Sequence, residues 1–183
     1  SSDLTLLGGG VQPSGDPDRA RPTKVDLHFA PVGTGGGRSN HGYIVVTDGT
    51  TQKQWTTEAT PSEKRVRDIV SSGFVRSFVT EGQATPRANS RHVATFETDI
   101  PADQVAGKLS DFSERFNERK IPYDLPITLH YDPYGLAPPR SPVRNSNYYV
   151  GSAWNDLTGA TPALPQGLDA PGWGDHRKRG PFE

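Results

Sequence analysis

Cysteine is absent from the 183 residues, and with it go disulfide cross-links, zinc–thiolate centres and a thiolate nucleophile. Methionine is absent as well, the initiator included, which leads us to expect a processed chain or a domain cut from something larger. No stretch approaches the roughly 18–20 apolar residues of a membrane span. Ser1 to Leu7 is too short, and lacks the basic start, for a secretory leader. Net charge is lacking too: 20 Lys+Arg against 21 Asp+Glu leave −1, which argues against a generic nucleic-acid binder, since that would need a basic surface to displace counterions. With no clustered set of metal ligands either, a nuclease toxin is disfavoured. Hydrophobic residues are scarce at 32%, whereas Gly (20) and Pro (17) are abundant, which implies a modest core and much loop. The length suits one compact domain.

Along the chain, 1–23 reads as a flexible arm or linker, its Gly8 to Thr23 part rich in Gly, Pro and charge. Val25 to Ala30 alternates as a half-buried strand, Gly33 to Ser39 is a flexible loop, and His41 to Thr47 is a strong strand. An Asp48-Gly49 turn then predicts a β-hairpin with a return strand from about Gln52 to Thr57. Pro61 to Val70 is expected as a short helix, and Phe74 to Val79 and His92 to Thr98 as further strands joined by the turn-rich Glu81 to Ser90. The clearest helix runs from Pro101 to about Arg119, with Val105, Leu109, Phe112 and Phe116 on one face. Tyr123 to Tyr134 is extended, and a long loop from Pro133 to Pro142 leads to a last helix from Ser146 to about Leu157, stopped at Gly159. The order predicts an α+β domain over 24–159, an antiparallel sheet with helices packed on one face, followed by a proline-rich strap or tail over 160–183.

The chemistry concentrates at Asn145-Ser146-Asn147. A side chain in the first turn of a helix lies among unpaired N–H groups and at the positive end of the helix dipole. That supplies Ser146 as a candidate nucleophile, with backbone N–H groups, Asn145 and Asn147 as candidate oxyanion donors. His41, at the head of a strand, is the candidate general base. A two-residue turn would set His41 opposite Thr56 and put Gln54, Thr56 and Glu58 on its face. One of these would hold the imidazole tautomer, Glu58 by its charge or Gln54 by its place in the strand. Asn-Ser-Asn ahead of an apolar helix is also what ordinary N-capping looks like.

Elsewhere the signals are weaker. His28 and His92 read as structural or surface histidines, and His176 with Asp175 gives two ligands, too few for a metal site. Gly33 to Gly37 lacks the Lys-Ser/Thr of a phosphate loop. No metal or cofactor is called for. Tyr148 and His130 are candidates for substrate contact.

These motifs resemble the circularly permuted papain-like superfamily, which includes lecithin–retinol acyltransferase and bacterial relatives. Its Asn-Cys-Glu-His-Phe-Val aligns with Asn145-Ser146-Asn147-Tyr148-Tyr149-Val150, and its His-led strand with His41-Gly42-Tyr43-Ile44-Val45. Ala170-Pro171-Gly172-Trp173 is further similar to a bacterial subgroup with Asn-Ser-Asn then Pro-Gly-Trp, found as C-terminal modules of secreted polymorphic toxins. Ser146 stands where the family has its catalytic Cys. The resemblance implies a permuted papain-like fold and a hydrolase or acyltransferase (peptidase, amidase or lipase) acting through Ser146 and His41. Cell-wall peptide, protein or lipid ester would be its substrate, antibacterial toxicity its setting, and an immunity protein a partner. Secretion or delivery within a larger polypeptide, and a monomeric domain, are expected. The rival expectation is a non-catalytic binding module on the same fold, its Ser146 cleft holding a ligand or partner protein.

Overall fold

The computed structural model describes residues 21–32, 40–62, 73–82, 87, 89–123 and 144–174. The expectations for the arm over 1–20, the glycine loop at 33–39, most of the short helix after Pro61, the loops around His130, and 175–183 lie outside the described residues. Five strands, β1 (Thr23–Pro31), β2 (Asn40–Thr47), β3 (Gln54–Pro61), β4 (Val75–Glu81) and β5 (Arg91–Thr98), precede α1 (Ala102–Glu118) and α2 (Ser146–Thr158). The strands form one antiparallel sheet in the order β4-β3-β2-β1-β5, and both helices pack on one face of it. The architecture is α+β.

Side-chain alternation decides which face the helices cover. Val25, Leu27 and Phe29 of β1, Ile44 and Val46 of β2, Trp55 and Ala59 of β3 and Val75 of β4 point into one core. Lys24, Asp26, His28 and Ala30 alternate with them toward the other face, beside Tyr43 and Val45. From the helix side the core is filled by Val105, Leu109, Phe112 and Phe116 of α1 and by Tyr148, Tyr149, Val150, Ala153 and Trp154 of α2. Phe116 meets Tyr149 edge to face at 5.0 Å and Tyr148 at 6.2 Å, so α1 is the floor on which the start of α2 rests.

Helix ends follow the residues that stop them. Asn145 caps α2, its side-chain oxygen accepting from the N–H groups of Asn147 and Tyr148. Gly159 closes it in the left-handed region (φ 71°), and its N–H donates to the Asn155 carbonyl.

Two expectations are corrected. The hairpin does not close at Asp48-Gly49: Thr47 pairs with Gln54, and the loop between them runs from Asp48 to Lys53. The reason is the Asp48 side chain, which accepts from the N–H groups of Thr50 (2.8 Å) and Thr51 (2.7 Å) and winds the chain through one more turn. Pro61 ends β3 instead of opening a helix, because the ladder with β4 continues as far as Pro61 and Val75. Ser62 and Phe74 then exchange hydrogen bonds across its end.

The segment expected as a strap or tail packs against the body as far as it is described. Leu168 and Ala170 are buried in the core, and the Trp173 ring stands edge-on to Phe29 at 5.2 Å. Among the described residues no helix is long and apolar enough to cross a membrane, and no group of three His, Cys, Asp or Glu is placed to hold a metal ion. Phe116→Ala should cost about 3–5 kcal/mol by leaving a cavity beneath Tyr148 and Tyr149. Urea denaturation checks this, and a loss below ~1 kcal/mol would mean that α2 does not depend on α1 for its floor.

Candidate active site

His41 sits at the head of β2 and Ser146 in the first turn of α2, 105 residues apart in sequence, with 2.9 Å between His41 Nδ1 and Ser146 Oγ. The other ring nitrogen, Nε2, lies 2.7 Å from Glu58 Oε2 on β3. An ionised carboxylate only accepts, so Nε2 carries the hydrogen and Nδ1 is left to accept from the serine hydroxyl. The ring is turned the other way from the Ser–His–Asp template, where Nε2 faces the serine. Ser146 itself is only 5% exposed.

Of the candidates on the His41 face, Glu58 is the one beside the ring. The longer hairpin loop slides the strands by four residues relative to a two-residue turn, and an even shift keeps Gln54, Thr56 and Glu58 on the same face. It also carries Gln54 to the far end of β3, opposite Thr47, whose hydroxyl it contacts at 3.2 Å. Thr56 pairs with Val45. Gln54 is therefore corrected as a candidate for orienting His41.

The two asparagines have positions different from those expected of oxyanion donors. Asn147 donates both amide hydrogens to carbonyls, Asn40 at 2.9 Å and Pro171 at 3.1 Å, and accepts from the Gly42 N–H at 2.8 Å. Asn145 donates to the same Pro171 carbonyl at 2.9 Å while its oxygen caps the helix. Together they join the helix start, the head of β2 and the strap, and hold Ser146 against His41. Gly42 is small for this reason: a Cβ there would stand 3.0 Å from the Phe29 ring and 3.3 Å from Asn147 Oδ1.

Tyr148, expected to touch substrate, is fully buried against Phe116 in the core. Its place one turn-face away from Ser146 points it at α1 and not at the cleft. His130 lies outside the described residues.

Two residues that sequence reasoning passed over complete the site. Tyr123, read only as extended chain, is half-buried beside Ser146; burial pushes the phenol up, and its interactions with the Ser146 side chain and backbone only partly offset this. Its backbone N–H is fixed to the Gly73 carbonyl at 2.9 Å, a contact from 50 residues upstream that no local pattern encodes. Arg87, read as part of a turn, sets Nη2 2.6 and 2.5 Å from the two Glu58 oxygens. Burial alone would raise the Glu58 carboxyl, but the hydrogen bonds from His41 and Arg87, with their charges, outweigh it and hold the carboxyl below its ordinary range.

On the same sheet face His28 stacks on Tyr43 and meets His92 edge-on, both at 5.3 Å. His92 and Thr95 lie against Asp26, which Lys24 also pairs. His28 is a half-buried member of the sheet, and His92 lies exposed on its surface.

Family models, curated proteins and solved structures were all compared with the chain, and none matches.

Because the folded Glu58 carboxyl is more acidic than the unfolded one, the unfolded chain binds more protons in the window below about pH 4.5, the ordinary value of this group. The stability from Glu58 is thus complete above that pH and is lost as pH falls through the lower folded value. Denaturant titrations should show a shallower acid decline for Glu58→Gln than for the natural chain; parallel declines would contradict the coupling.

Proposed function

We propose that the protein is a hydrolase or acyltransferase of the permuted papain-like type, with Ser146 as nucleophile, His41 as general base and Glu58 as the residue that orients the imidazole. One observation carries the reading: a single ring bridges a serine hydroxyl and an ionised carboxylate, in hydrogen-bond contact with both. Ser146 Oγ attacks an ester or amide carbonyl as its proton passes to Nδ1 of His41. The imidazolium so formed keeps its Nε2–H on Glu58. Collapse of the tetrahedral intermediate returns the Nδ1 proton to the departing alcohol or amine and leaves an acyl-serine. Water, or an acceptor hydroxyl or amine, resolves this by the same steps in reverse.

The oxyanion donors follow from what the cap leaves over. Asn147 and Tyr148 give their N–H groups to Asn145, whereas the Ser146 N–H faces the Tyr123 hydroxyl. An incoming carbonyl oxygen would take its place at that N–H, with the Tyr123 O–H as second donor. The order of the His and Asn-Ser-Asn motifs and the Pro-Gly-Trp segment against the helix start support a toxin or effector domain delivered to a target cell. Cell-wall peptide, protein and lipid ester are the candidate substrates, and an immunity protein the candidate partner.

A fluorophosphonate probe tests the reading. Labelling should fall on Ser146, vanish in Ser146→Ala and fall by at least about a hundredfold in His41→Ala, with both variants folded. An unlabelled but folded natural protein that retains a tight binding partner would replace this reading with a binding module. Tyr123→Phe should slow labelling on the order of a hundredfold if its hydroxyl helps hold the developing charge. An unchanged rate would remove it from that role.

A further inference from the structure

Arg87 lies on the segment between β4 and β5, outside the pair of motifs that define the site. Its guanidinium does two things there. Nη2 reaches both oxygens of Glu58, and the guanidinium carbon sits over the Tyr43 ring, 4.9 Å from its centre. Tyr43 is in turn fixed, its hydroxyl 2.7 Å from Ser90 Oγ and its ring stacked on His28. The arginine is therefore seated on a rigid surface and grips a carboxylate whose second contact is the His41 ring.

We propose that Arg87 is a positioning residue for the site, pinning the Glu58 carboxylate so that Oε2 stays on His41 Nε2 and the Nδ1 lone pair stays on Ser146. The proposal rests on the reading of Ser146 and His41 given above. A carboxylate held only by the imidazole can shift with the ring, whereas one also held by the seated guanidinium is fixed at a second point. The described neighbours of Glu58 and His41 on this side of the sheet come from four strands. β2 presents Tyr43; β1 presents Ala30 opposite His41 and His28 opposite Tyr43. β3 presents Thr56 and Thr60 beside Glu58, and β4 presents Phe78 opposite Glu58 and Arg76 opposite Thr60. Arg87 is the cation within hydrogen-bond distance of Glu58 among the described residues.

The test compares Arg87→Lys, Arg87→Gln and Arg87→Met with the natural protein; the methionine keeps an unbranched stem over Tyr43 if the glutamine fails to fold. Two readouts are taken. The first is the pH profile of fluorophosphonate labelling. The second is the ring-nitrogen NMR spectrum of His41, which reports the tautomer whether or not the protein is an enzyme. Arg87→Met and Arg87→Gln should label about tenfold more slowly at neutral pH. The pH dependence of their labelling should differ from that of the natural protein, and the His41 spectrum should change from the Nε2–H form to a mixture. Arg87→Lys should restore most of both. Where the natural protein is labelled, a folded Arg87→Met with an unchanged rate and profile overturns the role of Arg87 and leaves the hydrolase reading standing. Where it is not labelled, the hydrolase reading falls and the tautomer decides: a mixture in Arg87→Met sustains the positioning role, and an unchanged spectrum overturns it.

Discussion

Asn147 bonds the two backbone groups that flank His41, the carbonyl of Asn40 and the N–H of Gly42, with one amide side chain. It thereby does for the head of β2 what a neighbouring strand does elsewhere in a sheet, satisfying a donor and an acceptor two residues apart. Because Asn147 follows Ser146 directly, the clamp fixes the helix start and the strand head in one frame, and the hydroxyl and imidazole meet inside it. A buried amide in this position is costly unless every hydrogen bond is made. Here the Pro171 carbonyl takes what Asn40 leaves, so the third partner of the clamp is the strap.

That dependence explains why the strap belongs to the packed body. The Pro171 carbonyl also receives the Asn145 amide, and the Asp169 carbonyl receives both the backbone and side-chain N–H of Asn40. Trp173 and Ala170 bury apolar surface against Phe29 and the core, which supplies the free energy to hold these carbonyls in place. Pro-Gly-Trp thus serves the site without touching the reacting groups: the proline has no N–H to leave unpaired, Gly172 adopts φ 86°, and the tryptophan anchors the turn.

The sheet and the two helices were legible because they rest on periodicity, which a single sequence carries. The register of β2 on β3 was legible only as to face. The turn chemistry of Asp48 set the loop length, and an error of four residues left Glu58 on the right face while moving Gln54 out of reach. His41 and Ser146 were legible because residue type and element boundary coincided at both. Arg87 and Tyr123 were not, since each lies outside the described strands and helices and reaches the site through a contact set by tertiary packing. Asn145 and Asn147 were correctly placed at a helix start, yet their partners lie in the strap and in β2, so their roles as clamp and cap could be read only in three dimensions. Tyr148 shows the converse: closeness to a nucleophile in sequence says nothing of closeness in space on a helix, where a residue two positions on points about 200° away.

The proposed reading also bears on why a serine can stand where the resembled family has a cysteine. A thiol is acidic enough to ionise beside an imidazole, and the resulting ion pair needs little behind it. A serine hydroxyl stays protonated until the moment of attack, so its base must be neutral beforehand and must tolerate a full positive charge afterwards. Glu58, ionised and held by Arg87, is the anion that keeps its contact with Nε2 through that step. On the proposed reading the carboxylate–guanidinium pair backs the ring that activates the hydroxyl. On this reading the serine is matched to its surroundings, and the fit extends beyond the motif to Arg87.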